Sequence, residues 1–84
     1  MLIYTEHLKE MLQERDIAEK WVEETMLSPD HILENKDGTS HYVKQIVEYD
    51  SRWLRVVINK RSLPHRVVTA FFDRRLRKIY ANKS

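Results

Sequence analysis

A histidine that can carry a proton and an arginine that can grip phosphate are what a phosphate-directed site requires, and His7 and Arg15 offer both on one stretch of chain. If that stretch is helical, Leu8, Met11 and Leu12 form its apolar stripe. At about 100° per residue, Arg15 falls near the middle of the stripe and His7 at its edge. A guanidinium on the core side is unfavourable unless its head escapes or pairs. Arg15 therefore either snorkels and caps the helix C-terminus, or binds an anion where helix meets sheet. His7 is open in the same way, as a boundary histidine bonded to backbone or as a proton-transfer group.

Lys44 and Arg55 are basic residues in the middle of β-patterned segments, each near an aromatic, Tyr42 and Trp53. Such a face suits a nucleic-acid strand, although a solvated sheet face shows the same alternation. If Lys44 and Arg55 share a face, they can hold one phosphate between neighbouring strands. The expectation is that they do, with His7 within about 10 Å, a reach that water or closure on substrate can bridge. Thr69 sits in the run Val67-Val68-Thr69-Ala70-Phe71-Phe72, where a threonine is first a β-former. The chain ends in a basic cluster, Arg74, Arg75, Arg77 and Lys78. Residues 1–60 carry a net charge of −4 and residues 61–84 one of +6, within an overall +2. A basic end of this kind meets a polyanion or an acidic partner, unless it is simply a solvated tail.

Other chemistries find no support. His7, His31, His41 and His65 make no i, i+4 pair, and the chain has no cysteine, so no metal centre or cofactor is expected. Ser28, Ser40, Ser51, Ser62 and Ser84 lie in turns or at the tail without a nucleophile elbow. The lone glycine, Gly38, excludes a Gly-rich phosphate loop. The acidic residues decorate helix surfaces and do not pair across a sugar-sized cleft.

The elements that must position these residues follow from periodicity. Leu2 to Tyr4 predicts a short strand, and Thr5 a helix N-cap with Glu6 in the first turn. Asp16 and Glu19 have the spacing of a capping box for a second helix, which Ser28-Pro29 stops. Ile17, Trp21, Val22 and Thr25 line its inner side. The period then changes to 2, predicting strands at His31–Asn35, 41–49, 52–59 and 65–72. Asp37-Gly38 predicts a type I′ hairpin, and Asp50-Ser51 the next connection. The order β-α-α-β-β-β-β, followed by at most a basic helical turn or two, is an α+β fold with two helices on a four- to five-stranded antiparallel sheet. One core is expected between helices and sheet, from Leu8, Met11, Leu12, Ile17, Trp21, Leu54, Val56 and Ile58.

A chain of 84 residues has room for one domain, 1–84. The opening lacks a basic region followed by a long apolar run, and no stretch approaches the roughly 20 apolar residues that span a bilayer. A cytoplasmic protein without membrane contact is expected.

Tyr4-Thr5-Glu6-His7, Met11, Glu14-Arg15-Asp16-Ile17, Val22-Glu23 and Ser28-Pro29-Asp30 together resemble the opening of the domain-of-unknown-function family 4258. His41-Tyr42-Val43-Lys44, Leu54-Arg55-Val56-Val57 and Val67-Val68-Thr69-Ala70-Phe71 resemble its later elements, so that the likeness covers nearly the whole chain. That family is grouped with the RelE/ParE and BrnT toxins among barnase- and colicin-like ribonuclease folds. The resemblance implies a toxin of a toxin–antitoxin pair that cleaves RNA, free or on the ribosome, without metal, by attack of the 2′-hydroxyl on phosphate. It further implies His7, Arg55 and Thr69 as catalytic candidates. Arg15 and Lys44 would bind RNA phosphate, and the basic residues Arg74, Arg75, Arg77 and Lys78 would hold RNA or an acidic segment of a cognate antitoxin. Fold membership alone does not establish activity. The alternatives are a catalytically inert protein-binding module of the same fold and a small nucleic-acid-associated accessory protein. Oligomeric state is not legible.

Overall fold

A computed structural model of the chain describes residues 2–3, 5–61 and 64–80, with the side chains of Leu2 and Ile3 left aside. Tyr4, the expected end of the first strand, and Ser62 and Ser84 lie outside the described residues. The architecture is α+β. Its elements are β1 (Leu2–Ile3), α1 (Glu6–Glu14), α2 (Glu19–Leu27), β2 (His31–Glu34), β3 (Thr39–Ile46), β4 (Arg52–Asn59), β5 (His65–Phe72) and α3 (Arg74–Tyr80). Strands β2 to β5 form an antiparallel meander, and β1 adds to its edge in the order β1-β5-β4-β3-β2, parallel to β5.

Local chemistry explains the helix ends. Thr5 caps α1 as expected, its hydroxyl accepting from the Leu8 N–H at 3.1 Å. Asp16 does not open the second helix; it closes the first. Its φ of 56° is left-handed, the Ile17 N–H donates to the Leu12 carbonyl at 2.9 Å, and the Asp16 N–H to that of Gln13 at 3.2 Å. This is a Schellman ending, which satisfies two helix carbonyls and buries Ile17 beside Leu12. The capping box therefore does not form: α2 starts at Glu19 after Ala18, with no side-chain cap. Ser28 ends α2 before Pro29, as the sequence predicts.

The turns differ from expectation in an instructive way. Asp37 does not adopt positive φ, so the β2–β3 turn is not type I′. Gly38 alone takes it, at +88°, while the Asp37 carboxylate accepts from the Thr39 N–H at 3.0 Å as an Asx turn. The pair of positive φ values occurs at Asp50 and Ser51, 54° and 53°, with the Arg52 N–H donating to the Tyr49 carbonyl. Strand β3 has already ended at Ile46, so the β3–β4 connection spans five residues, 47–51.

Helices α1 and α2 pack on one sheet face through Leu8, Leu12, Ile17 and Val22 against Ile46, Leu54, Val56, Ile58, Val67 and Ala70. Trp21 packs against this core and Met11 is half-buried at its margin. The expectation of a single core on one face is corrected by α3. Leu76, fully buried, joins Val43 and Trp53 on the opposite face, with Tyr80 packed alongside. Alternation is the cause: Leu54, Val56 and Ile58 serve one face of β4 and Trp53, Arg55 and Val57 the other, and Trp53 needs its own cover. Among the described residues, no helix is long and apolar enough to cross a membrane.

Candidate functional site

Register decides which candidates can meet. Lys44 pairs with Leu54, and Val43 pairs with Arg55. Directly opposed residues share a face, so Lys44 lies on the α1/α2 face and Arg55 on the α3 face. The expected joint phosphate grip of Lys44 and Arg55 is not made. His7, exposed on α1, is likewise separated from Arg55 by the sheet.

On the α1/α2 face the candidates do structural work. The Arg15 guanidinium donates to the Ala70 carbonyl at 2.9 Å and to the Thr69 hydroxyl at 3.2 Å, tying the end of α1 to β5. Thr69 Oγ1 lies 3.2 Å from Met11 Sδ. Thr69 is paired with Val57, a residue of the α3 face, yet its hydroxyl reaches these α1 groups; a register irregularity between β4 and β5 lies beside that pair, at Val57 and Ile58. Lys44 Nζ donates to the Ser28 carbonyl at 2.9 Å, where a cation complements the C-terminal end of α2.

The α3 face holds a connected polar chain that the sequence did not single out. The Asp37 carboxylate accepts from the Thr39 hydroxyl at 2.6 Å, and that hydroxyl lies 3.5 Å from His41 Nε2. The Asn35 amide lies 2.9 Å from the same nitrogen. Arg55 Nη1 approaches His41 Nδ1 at 3.4 Å, and Arg55 Nε lies 3.3 Å from Asp73 Oδ2. Arg75 then takes Asp73 in a two-point grip, Nε to Oδ1 at 3.0 Å and Nη2 to Oδ2 at 2.9 Å. The Arg75 N–H also donates to Oδ1 at 2.9 Å, so Asp73 caps α3.

Two groups here titrate away from their ordinary ranges, for different reasons. Desolvation holds the His41 imidazole below its ordinary pKa, the Arg55 charge pushes it the same way, and Asp37 opposes. His41 is therefore neutral near pH 7. A guanidinium only donates, so Nδ1 is the acceptor, Nε2 carries the proton, and Asn35 serves that proton best with its amide oxygen turned inward. The Asp73 carboxylate sits below its usual range, chiefly through hydrogen bonding from Arg75, with the Arg55 charge adding to it and desolvation opposing.

The Arg55 side chain is only 15% exposed. Its approach to Asp73 is an ion pair without hydrogen-bond alignment, and Nε has no hydrogen-bond partner among the described residues. A buried guanidinium whose Nε–H is unused keeps a donor for an anion, although the Asp73 carboxylate already balances its charge.

Helix α3, which Asp73 caps, carries the exposed cations Arg74, Arg77 and Lys78, and an aromatic group lies at its far end. His31 stacks on Tyr80 with centroids 3.9 Å apart, and Tyr80 lies 5.0 Å from Trp53. Strand alternation puts Arg55 on the face of Trp53, as the sequence predicts. Adding His41 required the register, and adding Asp73 required the turn from β5 into α3. Among the described residues, no group of three or more His, Asp or Glu side chains is placed to hold a metal ion.

A family model described as Domain of unknown function (DUF4258) matches residues 4–72. No curated protein and no solved structure matches the chain.

Proposed function

The chain belongs to the DUF4258 family, and we propose that it is a metal-independent, RelE-like endoribonuclease, the toxin of a toxin–antitoxin pair, working from the α3 face of its sheet. The observation that carries this reading is the buried Arg55 guanidinium, its Nε–H unused, beside a neutral His41. Arg55 binds the scissile phosphate and stabilises charge on its oxygens as the transition state forms. Engaging phosphate draws Arg55 from His41 Nδ1, and that lone pair then accepts the proton of the 2′-hydroxyl. The 2′-oxygen bonds to phosphorus, the bond from phosphorus to the 5′-oxygen breaks, and the leaving oxygen takes a proton from water. The exposed cations of α3 hold the flanking phosphates. His41 thus takes the proton-transfer role that the resemblance suggested for His7, and Thr69 serves the α1–β5 contact.

Inducible expression with and without the neighbouring antitoxin gene, followed by RNA analysis, tests this. Growth arrest with fragmented RNA, lost in His41→Ala and Arg55→Ala, supports it. No arrest and intact RNA would leave the protein-binding module as the function.

A further inference from the structure

Arg55 is neutralised in the free protein by a carboxylate from the β5–α3 junction. Asp73 is 6% exposed and is pinned there by its own N–H, which donates to the Trp53 carbonyl at 2.9 Å. Both of its oxygens accept from Arg75, through one backbone and two guanidinium hydrogen bonds. The hold on Arg55 is different in kind, a 3.3 Å charge contact without alignment. We infer that Asp73 is a built-in competitor at Arg55, the internal anion whose charge an incoming phosphate must overcome and whose contact it replaces.

The inference rests on Arg55 being the phosphate clamp, and it adds how that clamp is kept quiet. Nε is closed to solvent where it lies, so the Arg55 head must swing away from Asp73 to meet phosphate, whose oxygens then offer the aligned hydrogen bonds that Asp73 does not. Asp73 loses little by the exchange, because Arg75 still satisfies both of its oxygens and α3 stays capped. The empty site gains from the arrangement as well, since a buried guanidinium with no counter-charge would destabilise the fold. Stability of the empty protein and affinity for phosphate are therefore set against each other at one residue.

Calorimetric titration of the full chain with inorganic phosphate at low ionic strength tests this. Asp73→Asn and Asp73→Ser, the second keeping a capping oxygen for α3, should each bind phosphate roughly tenfold more tightly than the parent, as removal of a carboxylate beside a cation implies. Adding Arg55→Gln should abolish the gain in both. Affinity equal to or below the parent's in either folded variant overturns the inference. The unaltered protein gives an independent reading by NMR. Phosphate should move the Arg55 Nε–H resonance before that of Arg75, and the reverse order overturns the inference. RNA cleavage is scored separately. Tightened phosphate binding without cleavage supports the competitor and removes only the ribonuclease. Cleavage with unchanged phosphate affinity removes only the competitor.

Discussion

Nη1 of Arg55 lies 3.4 Å from Nδ1 of His41, although the two residues are not opposed across the sheet: His41 faces Val57 and Arg55 faces Val43. The contact is diagonal, and the length of the arginine side chain makes it. If it is the centre of cleavage, His41→Ala should slow RNA cutting by roughly 10²–10⁴-fold. Arg55→Ala should abolish it, and Arg55→Lys should restore only part, because an ammonium lacks the planar fork. His7→Ala should cut RNA at the parental rate. A purified-RNA cleavage assay in which His7→Ala is the impaired variant would refute the assignment.

Stability should respond to pH through His41. Its folded pKa is below the unfolded value, so between the two the unfolded chain binds more protons and stability rises with pH. The contribution is complete above about pH 6.5 and is lost as pH falls through the folded pKa. Asp73 adds a second loss with the same sign at lower pH, since its folded pKa is also depressed. Urea denaturation at pH 7.5 and 5.5 should show the first loss, and His41→Gln should remove it.

The helix stop at Pro29, the Thr5 cap and the Leu54–Val56–Ile58 face could all be taken from local pattern, because each depends on neighbours a few residues away. The site could not, because it depends on register. A two-residue connection at Asp50-Ser51 would set Lys44 opposite Val57 and hence on the face of Arg55. The five-residue connection sets Lys44 opposite Leu54 instead, an odd slip that turns every side chain over. Sequence pattern gave no sign that β3 would end at Ile46. Arg15 shows a second limit. Its place over the apolar stripe was legible, but its partners, Thr69 and Ala70, are more than fifty residues away.

Asp16 holds a left-handed conformation with φ of 56°, which a residue with a Cβ adopts at a cost. Asp16→Gly should raise stability by about 0.5–1 kcal/mol, since glycine suits the residue after a helix C-cap. Asp16→Val should lower it by more. The order of thermal midpoints, glycine above aspartate above valine, is the measurement.

Both sheet faces carry buried leucine. Leu54→Ala on the α1/α2 side and Leu76→Ala on the α3 side remove fully buried side chains. Each should lower unfolding free energy by about 2–5 kcal/mol. Their effects on the site should differ. Leu76 anchors the helix that Asp73 caps, so its loss should free α3 and raise amide exchange along residues 74–80. Exchange there should stay unchanged in Leu54→Ala under conditions where that variant remains folded.

The exposed cations of α3 should supply salt-dependent RNA affinity. Arg74, Arg77 and Lys78 are solvent-facing, while Arg75 grips Asp73 at 2.9 and 3.0 Å. Arg75 is therefore left in place, because its removal would disturb the α3 cap as well as the charge. Each phosphate neutralised on a single strand contributes about 0.7 to the slope of log affinity against log salt. Replacing Arg74, Arg77 and Lys78 by glutamine should lower that slope by about 2 if all three meet phosphate. Thermal stability should hardly change, since solvated side chains of this kind contribute little. The binding loss should also be uniform across RNA sequences, because phosphate contacts carry no base information. Fluorescence anisotropy with a labelled single-stranded RNA from 50 to 300 mM salt reads both quantities. An unchanged slope would move the RNA path off α3 and leave the basic helix to an acidic protein partner.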